Sequence, residues 1–306
     1  ILVGAPWMAG SLVLNNQLRF QGSAAYGMAG MISGAVLNMI LDPVFIFGLG
    51  LGVTGASLAT AISQAVGCAI LVLGTFRKGN LPIRFRSFSP SPGNYREIIR
   101  GGLPSLFRQG LASVASVLIN HAAGAYGDAA IAAIAIVNRV SMFAASALVG
   151  FGQGFQPVCG FNYGAKLYGR VKKAFWFCVK TSFAVLFFIA AAIFILAPQV
   201  IALFRRDDAE VIRIGVLSLR LHCLVFPLTG WVVLCNMMMQ TIGKPLEASL
   251  LAMSRQGLFL VPFLYILTPL FGLLGIQFCQ PASDLAAFFF AIPIAVRVLR
   301  GMREES

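Results

Sequence analysis

"LNMILDPVFIF", residues 37–47, places one carboxylate in a run that is otherwise uncharged. Asp42 is followed at once by Pro43, and Asn38 stands one helical turn before it. A carboxylate deep in an apolar segment costs several kcal/mol and marks a functional hypothesis by default. Pro43 adds a second disturbance, because a proline cannot donate to the carbonyl of Met39 one turn earlier. The fold and the function both depend on what surrounds this segment.

The surroundings are those of a lipid bilayer. The 306 residues are 58% hydrophobic and 11% charged, with a mean hydropathy of +0.86. A soluble chain of this length would carry far more surface charge. About 20 apolar residues cross a bilayer, and nine segments are predicted to do so: 1–17, 24–48, 54–76, 98–125, 129–158, 172–198, 212–240, 246–269 and 272–298. Backbone satisfaction in lipid requires these to be helices, and the alternation expected of barrel strands is missing. The fold class is therefore all-α, a polytopic membrane protein. The first segment starts inside an apolar run and lacks the basic region and cleavage site of a signal peptide. It reads as the remainder of a spanning helix whose beginning lies upstream.

The net charge of +13 does not indicate a nucleic-acid partner, because the basic residues sit in short loops between apolar segments. One set of loops holds 15 Lys and Arg, including Arg19, Arg77, Arg96, Lys166 and Lys244; the other holds 3, Arg205, Arg206 and Arg213. The basic set is predicted to be cytoplasmic, with the C-terminus inside, in the inner membrane. The Pro-, Ser- and Arg-rich stretch 77–96 reads as a cytoplasmic linker between bundles 1–76 and 97–306. The six cysteines lie singly in apolar segments and form no metal motif or disulfide framework. No catalytic arrangement of Ser, His, Asp or Cys is present, and "GFGQGFQP" (150–157) follows no strand that would make it a nucleotide loop. The reading excludes an enzyme and calls for no cofactor beyond a coupling ion.

An internal repeat runs through the chain. A shift of 221 residues places "NNQLRFQGSAAYGMAGMIS" (15–33) on "NMMMQTIGKPLEASLLAMS" (236–254), pairing Asn15 with Asn236 and Gly22 with Gly243. After one gap, Gly52, Gly55 and Ser63 fall on Gly272, Gly275 and Ser283. Transporters are often built from such parallel repeats. The half before the linker has three spans and the half after it six, so three further spans are expected upstream.

Depth brings polar groups together around Asp42. The loop near 48–54 lies six residues from both Asp42 and Thr60, or about 9 Å along each helix. Asn38 shares the face of Asp42. A carboxylate, an amide, a hydroxyl and the freed Met39 carbonyl at one depth suit a proton or a Na⁺ ion. A polar fastening between two helices is the competing reading. The repeat argues against it, because Asn38 and Asp42 correspond to Phe259 and Phe263. Pro43 is the candidate hinge. Elsewhere, Lys180 is expected to snorkel, and Asp284 serves either packing or coupling. Arg108, Gln109, Asn120, Asn138, Arg139, Gln153 and Gln156 are candidates for a substrate cavity in the C-terminal half, with helix–helix hydrogen bonding as their alternative role. Arg220 and Arg255 pair or line water.

"LRFQG" (18–22), "LNMILDPVFIFGLGLGVTGASLAT" (37–60), "GLPSLFRQGLASVASVLIN" (102–120), "YGDAAIAAIAIVNRV" (126–140) and "GFGQGFQPVCGFNYGA" (150–165) resemble the multidrug and toxic compound extrusion family over essentially the whole chain. The resemblance implies twelve spans in two six-helix lobes, of which this chain is similar to the last nine. Residues 1–76 would then be the second half of the N-lobe and 97–306 the C-lobe. It also implies a monomer that exports amphipathic, often cationic small molecules by alternating access, driven by H⁺ or Na⁺. In the family's N-lobe cation site, Asn38, Asp42 and Thr60 match an Asn and an Asp from the fifth helix and a Thr from the sixth. The Asp that the family's first helix supplies has no counterpart in this chain. No acid lies in the middle of 98–125 or 212–240, which points coupling to the N-lobe. The competing expectations are a flippase for a lipid-linked saccharide, which needs a strongly cationic cavity, and a non-transporting scaffold or receptor subunit.

Overall fold

Every regular element among the described residues is helical. The structure, a computed structural model, describes residues 2–77, 79–81, 90–206 and 208–302. Lys78, Arg84, Arg86 and Arg303, which contribute to the charge asymmetry between loops, lie outside them. The chain forms two compact units, Ile1–Pro90 and Ser91–Ser306. Among the described residues, eight helical passages are long and apolar enough to cross a bilayer.

The first unit contains α1 (Ala5–Phe20), α2 (Ala24–Pro43) and α3 (Gly52–Thr75). Arg19, expected in a loop, lies in the last turn of α1. Leu14 and Leu18 of α1 pack on Cys68 and Leu71 of α3. Small residues let α2 and α3 approach closely, as packing between helices in lipid requires. A methyl added at Gly34 would sit 3.2 Å from the Ser63 carbonyl oxygen, and one at Gly67 would sit 3.2 Å from that of Gly30. These neighbours are backbone and cannot turn aside. Replacing Gly67 with Leu is expected to force the helices apart, at about 1–3 kcal/mol of overpacking. The check is a lower melting temperature for the purified variant in detergent.

Beyond Pro43 the helix widens. Val44–Gly48 forms a π-turn, closed by the Leu49 N–H donating to the Val44 carbonyl at 2.9 Å. A proline removes one donor from the ladder, and the wider turn takes up the mismatch. Single π-turns of this kind occur frequently at functional sites.

The second unit contains α4 (Pro92–Gly124), α5 (Asp128–Gly164), α6 (Tyr168–Ile195), α7 (Ala197–Phe204), α8 (Ala209–Thr241), α9 (Pro245–Met253), α10 (Leu260–Phe271) and α11 (Leu273–Gly301). Residues 92–96, read as part of the linker, form the first turn of α4. The segment expected at 172–198 ends at Ile195, and α7 starts afresh with Pro198 in its first turn. A second π-turn, Ser254–Leu258, joins α9 to α10. The helix α8 runs through the middle of the unit against α5, α6 and α11. Its Cys235, Met238 and Met239 are fully buried among Phe155, Phe175 and Ala287. All six cysteines are buried and free.

The repeat is visible in local geometry. Asn15 donates through Nδ2 to the Gly27 carbonyl at 2.9 Å, and Asn236 donates to the Ala248 carbonyl at 2.6 Å. The two pairs are related by the same shift of 221. The paired turn glycines share the left-handed backbone region that favours glycine: φ is 80° at Gly22 and 75° at Gly243, 53° at Gly52 and 60° at Gly272. Each pair of equivalent turns therefore has the same backbone requirement.

Candidate functional site

A cavity of about 250 Å³ opens between α1, α2 and α3 in the first unit. Asn38 from α2 and Thr60 from α3 both line it, with Ser63 and Gln64 beside Thr60. Asp42 is half-buried and accepts from Asn38 Nδ2 at 3.4 Å. It lies one turn beyond the cavity lining, toward the π-turn. Asn38 thus spends an N–H on Asp42 and keeps its carbonyl oxygen available. The Thr60 hydroxyl donates to the Ala56 carbonyl of its own helix at 2.9 Å, leaving its lone pairs free to accept. Ser63 Oγ is buried without a hydrogen-bond partner. Oxygen acceptors from two antiparallel helices therefore face one small cavity, with a carboxylate joined to its edge.

From the sequence Ser63 is marked only as the repeat partner of Ser283, and Gln64 not at all. Their positions three and four residues after Thr60 put them on the same helix face, which was the available signal. Among the described residues no group of three or more His, Cys, Asp or Glu converges as a metal site.

The second unit holds a more polar cavity of about 220 Å³. Arg108 and Gln109 of α4 line it, with Asn236 and Gln240 of α8 and with Arg255 and Gln256 of the second π-turn. Asn120, Asn138 and Arg139 are exposed on the unit, and Gln153 and Gln156 are half-buried away from the cavity lining. Arg220 lies over the Phe194 ring at 5.3 Å, outside the cavity. Asp284 of α11 binds Arg255 through two contacts, Nε to Oδ1 at 2.5 Å and Nη2 to Oδ2 at 3.2 Å. Gln280 donates to the same Oδ1 at 2.9 Å, and the Ser283 hydroxyl donates to the Arg255 carbonyl. The sequence marked Arg255 and Asp284 separately. The repeat places them opposite Gly34 and Gln64, two residues that line the first cavity. Where Asn38 and Asp42 stand in the first copy, Phe259 packs edge-on to Phe290 at 5.8 Å.

A family model described as MatE matches residues 104–266. The chain belongs to the MatE family. Its MatE match lies within the second unit and includes Arg108 and Arg255; Asn38, Asp42 and Thr60 lie before it. The chain is 28% identical over 291 residues to the multidrug export protein MepA of Staphylococcus haemolyticus, covering 95% of this chain and 64% of that protein. It is 30% identical over 285 residues to MepA of Staphylococcus aureus, covering 90% and 61%. A crystal structure of MATE in complex with MaL6 superposes with a TM-score of 0.91 at 28% identity, covering 98% of this chain and 68% of that one. This MatE chain is thus a polytopic helical membrane protein, and it spans less than two thirds of the length of these curated relatives.

Proposed function

We propose that the chain belongs to a cation-driven exporter of amphipathic or cationic small molecules in the cytoplasmic membrane, acting as a monomer by alternating access. The observation that carries this reading is the first cavity: Asn38 and Thr60 from neighbouring helices share its wall, and Asp42 is hydrogen-bonded to Asn38. The kinship with proteins named for multidrug export supports the substrate class.

In this mechanism Asp42 takes up H⁺ or Na⁺ while the site is open outward. Neutralising the carboxylate removes the cost of holding a charge at that depth. The π-turn after Pro43 absorbs the change in helix direction, the drug leaves outward, and the cation later leaves inward. For Na⁺, the Asp42 carboxylate and the oxygens of Asn38 and Thr60 would be the ligands. The excess of Lys and Arg in one set of loops supports a cytoplasmic C-terminus. Of Arg108, Arg139 and Arg220, only Arg108 lines the second cavity. Arg255 in the same wall is matched by Asp284, so among the described residues the cavity keeps a single unmatched arginine rather than a strongly cationic lining, which favours drug export over a saccharide flippase.

The test is reconstitution in vesicles under separately imposed H⁺ and Na⁺ gradients, reading movement of a fluorescent lipophilic cation. Transport should follow one gradient and stop when that gradient is dissipated. Transport indifferent to both gradients, or none under either, would overturn the reading.

A further inference from the structure

The cavity of the second unit carries an unbalanced charge. Two arginines line it, Arg108 and Arg255, and arginine stays protonated in proteins. Arg255 is matched by the bidentate contact with Asp284. Arg108 is not. Its Nε is buried with no hydrogen-bond partner, and among the described residues no carboxylate comes within 4.0 Å of its guanidinium nitrogens. One positive charge is left over inside a spanning bundle, where an unpaired ion costs several kcal/mol.

The other polar groups on the wall divide in the same way. Asn236 is committed to the Ala248 carbonyl and to the Gln240 amide, and Thr229 donates to the Phe226 carbonyl. The side-chain amides of Gln109 and Gln256 have no such commitment and can donate. What the cavity offers is therefore a planar cation and two amide donors. The rest of the wall includes Ala112, Leu148, Val232 and Met237.

We propose that this cavity binds an anionic oxygen group, a carboxylate or a phosphate, held by Arg108 and the Gln109 and Gln256 amides. The guanidinium fork matches the two oxygens of such a group, and the apolar wall accepts a short hydrocarbon portion. The group is supplied either by an amphipathic anion or by a free inorganic one. The site is separate from Asp42 and its cavity, and its occupation is measured without any ion gradient.

The experiment is calorimetric titration of the purified protein in neutral detergent with octanoate, with inorganic phosphate and with 1-octanol. Octanoate or phosphate should bind one site, and 1-octanol should not compete. Tighter octanoate marks an amphipathic ligand, and equal or tighter phosphate a free one. Arg108→Gln should weaken anion binding about tenfold or more, while Arg108→Lys, which keeps the charge but loses the fork, should fall between Arg108→Gln and the unmodified protein. Unchanged binding in Arg108→Gln, or 1-octanol binding as tightly as octanoate, overturns the proposal. A measurement on the unmodified protein stands beside the variants. Whichever anion binds should protect Arg108 from phenylglyoxal, read by mass spectrometry, and leave the exposed Arg206 as reactive as before. Absence of protection also overturns the proposal.

Discussion

Cells carrying Asp42→Asn should lose gradient-driven export, with efflux falling about tenfold or more, a difference of about 1.4 kcal/mol or greater in the driven step. The substitution is nearly isosteric, and the new amide can still pair with Asn38, so the protein should reach the membrane at its normal level. What it removes is, among the described residues, the only carboxylate of the first cavity's cluster, the group proposed to take up the cation. Asn38 and Thr60 remain, and neither can change charge. The measurement is efflux of a lipophilic cation at matched expression, with membrane abundance checked by immunoblot. Undiminished efflux at normal abundance would remove Asp42 from the mechanism and leave the Asn38–Asp42 pair as a hydrogen bond within α2.

A second large effect is expected at Asp284. Replacing it with Ala strands Arg255, whose guanidinium is bound to that carboxylate by two contacts. It also leaves the Gln280 amide without its acceptor. Removing one partner of a buried ion pair costs about 3–5 kcal/mol, because the remaining charge is uncompensated. The pair joins α11 to the π-turn at Ser254–Leu258, so the loss should loosen both. Thermal unfolding in detergent should show a marked drop for Asp284→Ala. A double variant with Leu at both positions should recover most of it, since a well-packed apolar pair often matches a buried ion pair. If the single variant melts with the wild type, the ion pair does not hold these elements together.

Much of the architecture was legible in the sequence, because hydropathy reports directly on the solvent a helix faces. The segments at 24–48, 54–76 and 272–298 match α2 with its π-turn, α3 and α11 within a few residues. The repeat was legible for a different reason. Asn15 and Asn236 each satisfy a carbonyl twelve residues away, and the turn glycines need a backbone most residues avoid. Both requirements leave a mark at fixed spacing. The break between α6 and α7 was missed because the apolar run passes straight through it, and only Pro198 marks the new start.

Side-chain pairing across helices was the least legible. Arg255 and Asp284 are 29 residues apart, and nothing local to either says that the crossing angle brings them together. The candidate cation site was partly legible. Helical spacing put Asn38 and Asp42 on one face, and depth counting put Thr60 at their level. Ser63 and Gln64 were missed because the depth count picks out only residues level with Asp42, although both share the helix face of Thr60.

The short connection between α2 and α3 also bears on how the chain is made. Only residues 49–51 separate the π-turn from α3, so a growing chain presents both apolar helices to the insertion machinery almost together. Each alone would carry polar groups into hydrocarbon: Asn38 and Asp42 on one, Thr60, Ser63 and Gln64 on the other. Entering as a hairpin, with Gly34 against the Ser63 backbone, each helix supplies the polar surroundings that the other lacks. The proposed ion site would then also lower the barrier to membrane entry during biosynthesis.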